Sequence, residues 1–252
     1  MSFNFEQLGR PIVKIIEEGR KDHRIVYLDE KNEANHNYPS IILKANQKFQ
    51  LIPDKTKERT IHYVCGASGS GKSYWSSNLA NEYKKLFPKN PVYILSPLDS
   101  DESIDRVKDA KRITLGKEFL ETELDENSVE NCLTIWDDCD SIIEKKMKMK
   151  LREFSLAILN RGRHTKTSMI YLSHIACDGV ATKPILGECH SITFFPATLG
   201  GKTRRYLLDN YLGLDKKQIE RIGKMESRAV TVLKSYPQVV ITEKEIVMVK
   251  NL

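Results

Sequence analysis

Apolar positions along the chain follow two rhythms, and the two alternate. Thr60 to Cys65 (TIHYVC), Pro91 to Ser96 (PVYILS), Cys132 to Asp138 (CLTIWDD), Thr167 to Ser173 (TSMIYLS) and His190 to Phe195 (HSITFF) are short, mostly apolar runs rich in β-branched and aromatic residues. Such runs read as buried strands. Lys72 to Leu86 carries helix formers and predicts a helix that stops at Phe87 and Pro88, because proline cannot continue one. In Ser141 to Asn160 the apolar residues Ile143, Met147, Leu151, Phe154 and Ile158 recur at steps of four and three, the period of one buried helix face. Shorter helices are expected within Lys117 to Glu130, over Tyr206 to Tyr211 and over Asp215 to Ile222, with Gly200 to Arg205 as a flexible basic loop between strand and helix. Ala229 to Leu233, Gln238 to Ile241 and Glu245 to Val249 read as closing strands, with a turn at Ser235 to Pro237. Strands alternating with helices predict an α/β fold with a mainly parallel central sheet flanked by helices.

Before residue 60 the pattern changes. Pro11 to Ile16 and Arg24 to Leu28 read as strands joined by a charged turn, Asp29 to Ser40 as a polar loop, and Ile41 to Leu43 and Phe49 to Ile52 as short strands. Residues 1–59 are therefore expected to form a small β-rich N-terminal extension, an accessory layer on a main domain spanning 60–252. Asp99 to Lys111 mixes both charges and is expected at the surface.

The chemistry is carried by GASGSGKS, residues 66–73, which fits the phosphate-loop pattern G-x-x-x-x-G-K-[ST] at Gly66, Gly71, Lys72 and Ser73. A strand precedes it and a helix follows, which is the context the pattern needs. Backbone N–H groups from Gly66, Ala67, Ser68, Gly69, Ser70, Gly71, Lys72, Ser73 and Tyr74 would surround phosphate oxygens, aided by the helix N-terminus. Lys72 would reach the β- and γ-phosphates of ATP, and the Ser73 hydroxyl would ligate Mg2+. The third strand ends in Asp137 and Asp138. Asp137 is placed to hold the magnesium and Asp138 to reach the attacking water. His174, at the end of the fourth strand, is a candidate for sensing the γ-phosphate. These features predict a P-loop NTPase of the branch with an additional strand and a catalytic carboxylate.

Composition narrows the partners. The net charge is +6 with 29% charged residues, which permits a nucleic-acid partner without requiring one. Lys145, Lys146, Lys148, Lys150 and Arg152 are read as a solvated helix face. Lys202, Arg204 and Arg205 sit in the basic stretch from Gly200 to Arg205. The five cysteines have no C-x-x-C spacing, which points to reduced, intracellular use. Cys177 and Cys189 with His174 and His190 match no common zinc pattern. No apolar run is long enough for a membrane segment, and no signal peptide is visible.

GASGSGKS, then LTIWDDCDS at 133–141, then LNRGRHTKTSMIYLSH at 159–174, in that order, resemble the poxvirus-type genome-packaging ATPases of the FtsK–HerA superfamily. The tail VTVLKSYPQVVITEKEI at 230–246 is also similar to that family. The resemblance covers roughly residues 60 to 246 and departs from it at His174, where superfamily members often carry Gln. It implies a homo-oligomeric ring that hydrolyses ATP and drives double-stranded DNA, without sequence preference, into a preformed capsid through a capsid or portal component. It also implies action inside the host cell, in the cytoplasmic virus factory, and association with the virion. In a ring, Arg161 or Arg163 would reach a neighbour's nucleotide, with Arg163 favoured because Gly162 precedes it, or would pin the helix end within its own subunit; Lys202, Arg204 and Arg205 would be candidates for gripping DNA phosphates. Three other readings stay open: a P-loop ATPase powering assembly or extrusion of another macromolecule, a nucleotide kinase, and a nucleotide-gated binder without catalysis.

Overall fold

The computed structural model describes residues 1–252, the side chain of Glu126 aside. Its backbone divides into two compact units, one made of residues 1–56 with 190–252 and the other of residues 57–189. One joint falls between Thr56 and Lys57 and the other between Cys189 and His190.

The first unit begins with β1 (Ser2–Asn4), β2 (Arg10–Glu17), β3 (Arg24–Asp29), β4 (Ser40–Ile42) and β5 (Gln47–Leu51). Four of these form an antiparallel sheet in the order β1-β3-β2-β5. Asp29 fixes the loop that follows β3. Its carboxylate accepts from the amides of Lys31, Asn32 and Ala34, each at 2.9 Å.

The second unit holds β6 (Ile61–Cys65), α1 (Lys72–Leu86), β7 (Val92–Ser96), β8 (Ala110–Thr114), α2 (Lys117–Glu121), β9 (Leu133–Trp136), α3 (Lys145–Arg161), β10 (Ser168–Ser173) and α4 (Gly179–Glu188). Its strands are all parallel, in the order β6-β10-β9-β7-β8. β10 is thus the inserted strand, lying between the one that feeds the phosphate loop and the one that ends in the two aspartates. Every residue of β6 and β9 is buried, as expected for strands covered on both faces. Trp136 anchors the core. Its ring lies 6.0 Å from Tyr171 and 5.6 Å from Phe154 of α3, and its indole N–H donates to the Thr134 hydroxyl at 3.1 Å.

Met147, Leu151, Phe154 and Ile158 of α3 are buried as their spacing predicts. Covering each is worth about 1.5–3 kcal/mol. Ile143 is not part of that face. The helix starts at Lys145, so Ile143 falls in the extended lead-in and is 90% exposed. Lys150 also departs from expectation. Its ammonium donates to the carbonyls of Phe119, Leu120 and Thr122, closing the C-terminal end of α2. The far end of α3 is closed by Arg59, whose guanidinium donates to the carbonyls of Ile158 (2.5 Å) and Leu159 (2.8 Å). Gly162 makes room for this. A Cβ there would sit 2.4 Å from the Ile158 oxygen and 3.0 Å from Arg59 Nη1.

Two further expectations change in this unit. Asp99 to Lys111 is not wholly at the surface, because Ile104 and Val107 are buried and the segment runs into β8 at the sheet edge. α4 was hidden by the glycines and Pro184 in its sequence.

The first unit resumes with β11 (Ser191–Phe194), α5 (Gly201–Leu212), α6 (Lys216–Gly223), β12 (Val230–Leu233), β13 (Val239–Ile241) and β14 (Glu245–Met248). These strands and β4 pair antiparallel in the order β4-β14-β13-β12-β11. Lys244 ties in the N-terminal strands by donating to the carbonyls of Lys44, Ala45 and Gln47. Gly200 to Arg205 is not a flexible loop, since α5 begins at Gly201 and buries Leu207, Leu208 and Leu212. Asp215 and Gln218 cap α6 reciprocally, each side chain accepting from the other's amide at 2.9 Å.

Arg59→Ala should lower stability by roughly 2–3 kcal/mol, because two charge-assisted bonds to the helix end are lost. Arg163→Ala removes only an exposed ion pair with Glu58 and should leave stability near wild type. Chemical denaturation of the two variants checks the contrast.

Candidate functional site

Parallel strands end on one edge, and that edge gathers the phosphate loop, the paired aspartates and His174. Cys65 of β6 is in register with Ser173 of β10, and Trp136 of β9 with Tyr171 of β10 and Leu95 of β7. The Gly66 amide donates to the Ser173 carbonyl at 3.1 Å, which ties the loop to the end of β10. Gly69 (φ 72°) and Gly71 (φ 107°) take left-handed conformations that a side chain would strain. Those turns curl the chain into α1, whose first amides lack helical partners. The Lys72 ammonium lies across the loop, donating to the carbonyls of Gly66 (2.9 Å) and Ala67 (3.2 Å). Burial lowers its pKa, while Asp138, Asp140 and Asp137 act in the opposite sense. Ala67, Ser68 and Gly69 are exposed, and Ser73 is half-buried. Tyr74 is 50% exposed, with the Arg106 guanidinium 4.4 Å above its ring.

Asp137 continues β9, its amide donating to the Leu95 carbonyl at 2.9 Å. Its side chain belongs to a residue only 1% exposed, and Oδ2 has no hydrogen-bond partner. Burial, then the charges of Asp138 and Asp101, raise its pKa to about 7, only partly opposed by Arg112 and Lys72. A buried carboxylate oxygen without a partner is costly, and a divalent cation would satisfy it. The Asp137 carboxylate and the Ser73 hydroxyl expected from the sequence are both oxygen donors, the chemistry that suits magnesium.

Asp138 sits at φ 53°, ψ 20°, left-handed without being glycine. Strain of this kind costs about 1–3 kcal/mol and collects at functional sites. Here it turns the chain sharply out of β9 into a tight helical turn at Cys139–Ser141, held by the Ser141 amide (3.1 Å) and hydroxyl (2.7 Å) on the Asp138 carbonyl. The turn brings Asp140 back beside Asp138, with His174 between them. His174 Nε2 is 3.5 Å from Asp138 Oδ1, and Nδ1 is 3.1 Å from Asp140 Oδ1. Asp140 Oδ2 accepts from the His174 amide (2.7 Å) and the Ser173 hydroxyl (3.0 Å). Burial works to raise the Asp140 pKa, but these bonds outweigh it and leave it below the ordinary carboxylate value.

The predicted residues divide accordingly. Gly66 to Tyr74, Asp137, Asp138 and His174 share the carboxyl edge of the sheet. Arg161 is the last residue of α3 and Arg163 lies just beyond it, ahead of β10 and hence at the opposite edge; Arg163 pairs with Glu58 at 2.8 Å. Lys202, Arg204 and Arg205 belong to α5 in the other unit. Cys177 and Cys189 form no metal cluster with His174 or His190 among the described residues, where Asp138, Asp140 and His174 alone meet the spacing. Asp140 was missed, although a third carboxylate two positions after Asp138 was the available signal. Arg59 was missed because nothing local marks a residue that caps a helix 100 positions later in sequence.

Lys72→Ala should abolish tight nucleotide binding, since the phosphates lose their buried counter-charge; fluorescent-nucleotide titration reads this. Asp137 gives a pH test. Its folded pKa of about 7 lies above the unfolded value, so its protonation favours the fold at low pH and that gain disappears as pH rises through 7. Without magnesium, the stability of Asp137→Asn relative to wild type should therefore rise between pH 4 and 8 by up to about 4 kcal/mol. Added magnesium should narrow the difference at pH 8. Denaturant titrations at several pH values measure both.

No protein-family model matches the chain. Over 250 residues it is 32% identical to the uncharacterized protein V3 of Sputnik virophage, covering 95% of this chain and 96% of that protein. Among solved structures, B204, the DNA-packaging ATPase from Sulfolobus turreted icosahedral virus, aligns with a TM-score of 0.51 at 14% identity, covering 74% of this chain and 98% of B204. The pCW3 conjugation coupling protein TcpA, in its monomer form with ATPγS, aligns with a TM-score of 0.52 at 12% identity, covering 92% of this chain and 77% of TcpA. The fold is the P-loop NTPase fold of these structures, and the chain belongs to the family of the Sputnik virophage protein V3.

Proposed function

We propose that this protein hydrolyses ATP and uses the energy to move double-stranded DNA into a preformed capsid. The observation that carries the reading is the placement of Asp138. It stands strained at the end of β9, across the inserted strand from the phosphate loop, on the edge where a γ-phosphate held by Lys72 would lie. Likeness of fold to B204 supports the packaging assignment.

Phosphoryl transfer depends mainly on positioning and charge neutralisation. The loop amides and Lys72 bind and orient the triphosphate. Magnesium, held by Ser73 and Asp137, would neutralise charge on the β- and γ-phosphates. Asp138 orients the attacking water and accepts its proton, and His174 stands beside it to report on the γ-phosphate. Arg163, exposed at the opposite sheet edge, is available to a neighbouring subunit of a homo-oligomeric ring. DNA contacts would be to phosphates and independent of sequence, with Lys202, Arg204 and Arg205 as candidates. Among the described residues no helix is long and apolar enough to cross a membrane. The proposed setting is the host cytoplasm and, at the packaging stage, the capsid or its portal.

ATP turnover should rise when double-stranded DNA is added, equally for unrelated sequences, and the stimulation should fall steeply with salt as phosphate contacts release counterions. Strong preference for one sequence at fixed salt, or no response to DNA, would assign the ATPase to another cargo. Phosphate transfer to a small acceptor in place of water would make the protein a kinase. Asp138→Asn should keep MgATP bound and lose about 10²–10⁴-fold in turnover.

Arg163→Ala should bind nucleotide normally and lose on the order of 10³-fold or more in turnover if the arginine acts across a subunit boundary. Mixing Arg163→Ala with Asp138→Asn should then restore part of the activity, because some boundaries pair an intact Asp138 with an intact Arg163. Mixed rings confirmed by mass but without recovery would place Arg163 in the scaffold.

A further inference from the structure

One carboxylate at the site, Asp140, binds the end of β10 three times. We propose that Asp140 is a positioning residue for hydrolysis: it holds the His174 imidazole by Nδ1 so that Nε2, left as an acceptor, stands beside Asp138 Oδ1 where the attacking water can donate to both. The proposal rests on the assignment of Asp138 as the residue that orients the attacking water.

The geometry carries it. Asp140 Oδ2 accepts from the His174 amide at 2.7 Å and the Ser173 hydroxyl at 3.0 Å, which fixes the carboxylate in place. Its other oxygen is 3.1 Å from His174 Nδ1. An ionised carboxylate only accepts hydrogen bonds, so Nδ1 carries the hydrogen. Ring orientation is then determined, and Nε2 lies 3.5 Å from Asp138 Oδ1. The left-handed turn at Asp138 is what brings the second carboxylate to the other side of the same ring. The reacting groups of an active site must be held to about 0.5 Å, and a misplacement of about 1 Å can cost roughly 10²-fold in rate. Asp138 stands on a strained backbone at a chain reversal, and the imidazole is the group that flanks it from β10.

Asparagine at position 140 keeps the shape but offers one acceptor oxygen. Either the ring Nδ1–H or the His174 amide then faces an NH2 group and loses its bond. A purely structural Asp140, acting only as a cap on β10, would matter whatever side chain stood at position 174. A positioning Asp140 acts through the imidazole and is silent without it.

The test is a double-mutant cycle on the full chain, read by steady-state hydrolysis and by NMR of protein labelled with 15N-histidine. Asp140→Asn is expected to lower kcat about 10–100-fold with KM for ATP near the wild-type value, and to cause no further loss in a His174→Ala background. The His174 resonance, identified by its loss in His174→Ala, should show the hydrogen on Nδ1 in the wild type and a mixture of tautomers in Asp140→Asn. An equal loss of kcat from Asp140→Asn with and without His174 overturns the proposal. So does a wild-type ring protonated on Nε2 alone, a result that stands even if Asp140→Asn does not fold. Wild-type turnover by Asp138→Asn would instead remove the Asp138 assignment and the catalytic consequence of Asp140 with it. An inactive Asp138→Asn combined with an additive cycle would sink the Asp140 proposal alone.

Discussion

The pairing of β10 between β6 and β9 is the contact on which the site depends. Because all three strands run the same way, their ends deliver the phosphate loop, the two aspartates and His174 to one edge. Reversing or removing β10 would leave the loop and Asp138 on strands with no common neighbour. The hydrogen bond from the Gly66 amide to the Ser173 carbonyl continues that pairing one residue past the strand, so the loop starts from a fixed point. Sheet register thus sets the site geometry before any side chain contributes.

Burial then divides the labour between two adjacent carboxylates. Asp137 is enclosed and left with an unpaired oxygen, conditions that disfavour a bare charge and favour a cation. Asp138, one residue later, is half-exposed on a reversed backbone and stands beside the imidazole. Identical side chains in neighbouring positions acquire different chemistry because the backbone reverses at the second of them.

The strands and the phosphate loop were legible in the sequence because each is encoded locally. TIHYVC, CLTIWDD and TSMIYLS carry their own apolar signal, and GASGSGKS its own spacing. What escaped depends on distant partners or on hidden periodicity. Ile143 has the right spacing for the apolar face but precedes the helix. α4 carries glycines and an internal proline, and the basic stretch at Gly200 is helical because α5 buries three leucines downstream. Asp140 looked like one acidic residue in a turn until the fold set it against His174, and Arg59 gains its purpose only from α3. Strand order within the sheet was not encoded in spacing at all; it was inferred from the NTPase branch to which the motifs point.

Lys72 adds a consequence of its own. Its ammonium is already bonded to two carbonyls of the loop it serves. A ligand reaching it must outcompete those dipoles, and the contest is decided by how much negative charge the ligand presents at that point. A monophosphate offers no charge at the β- and γ-positions and so no competitor for those dipoles. The resting loop is closed on its own lysine, and filling it is an exchange of partners, not the capture of a free charge.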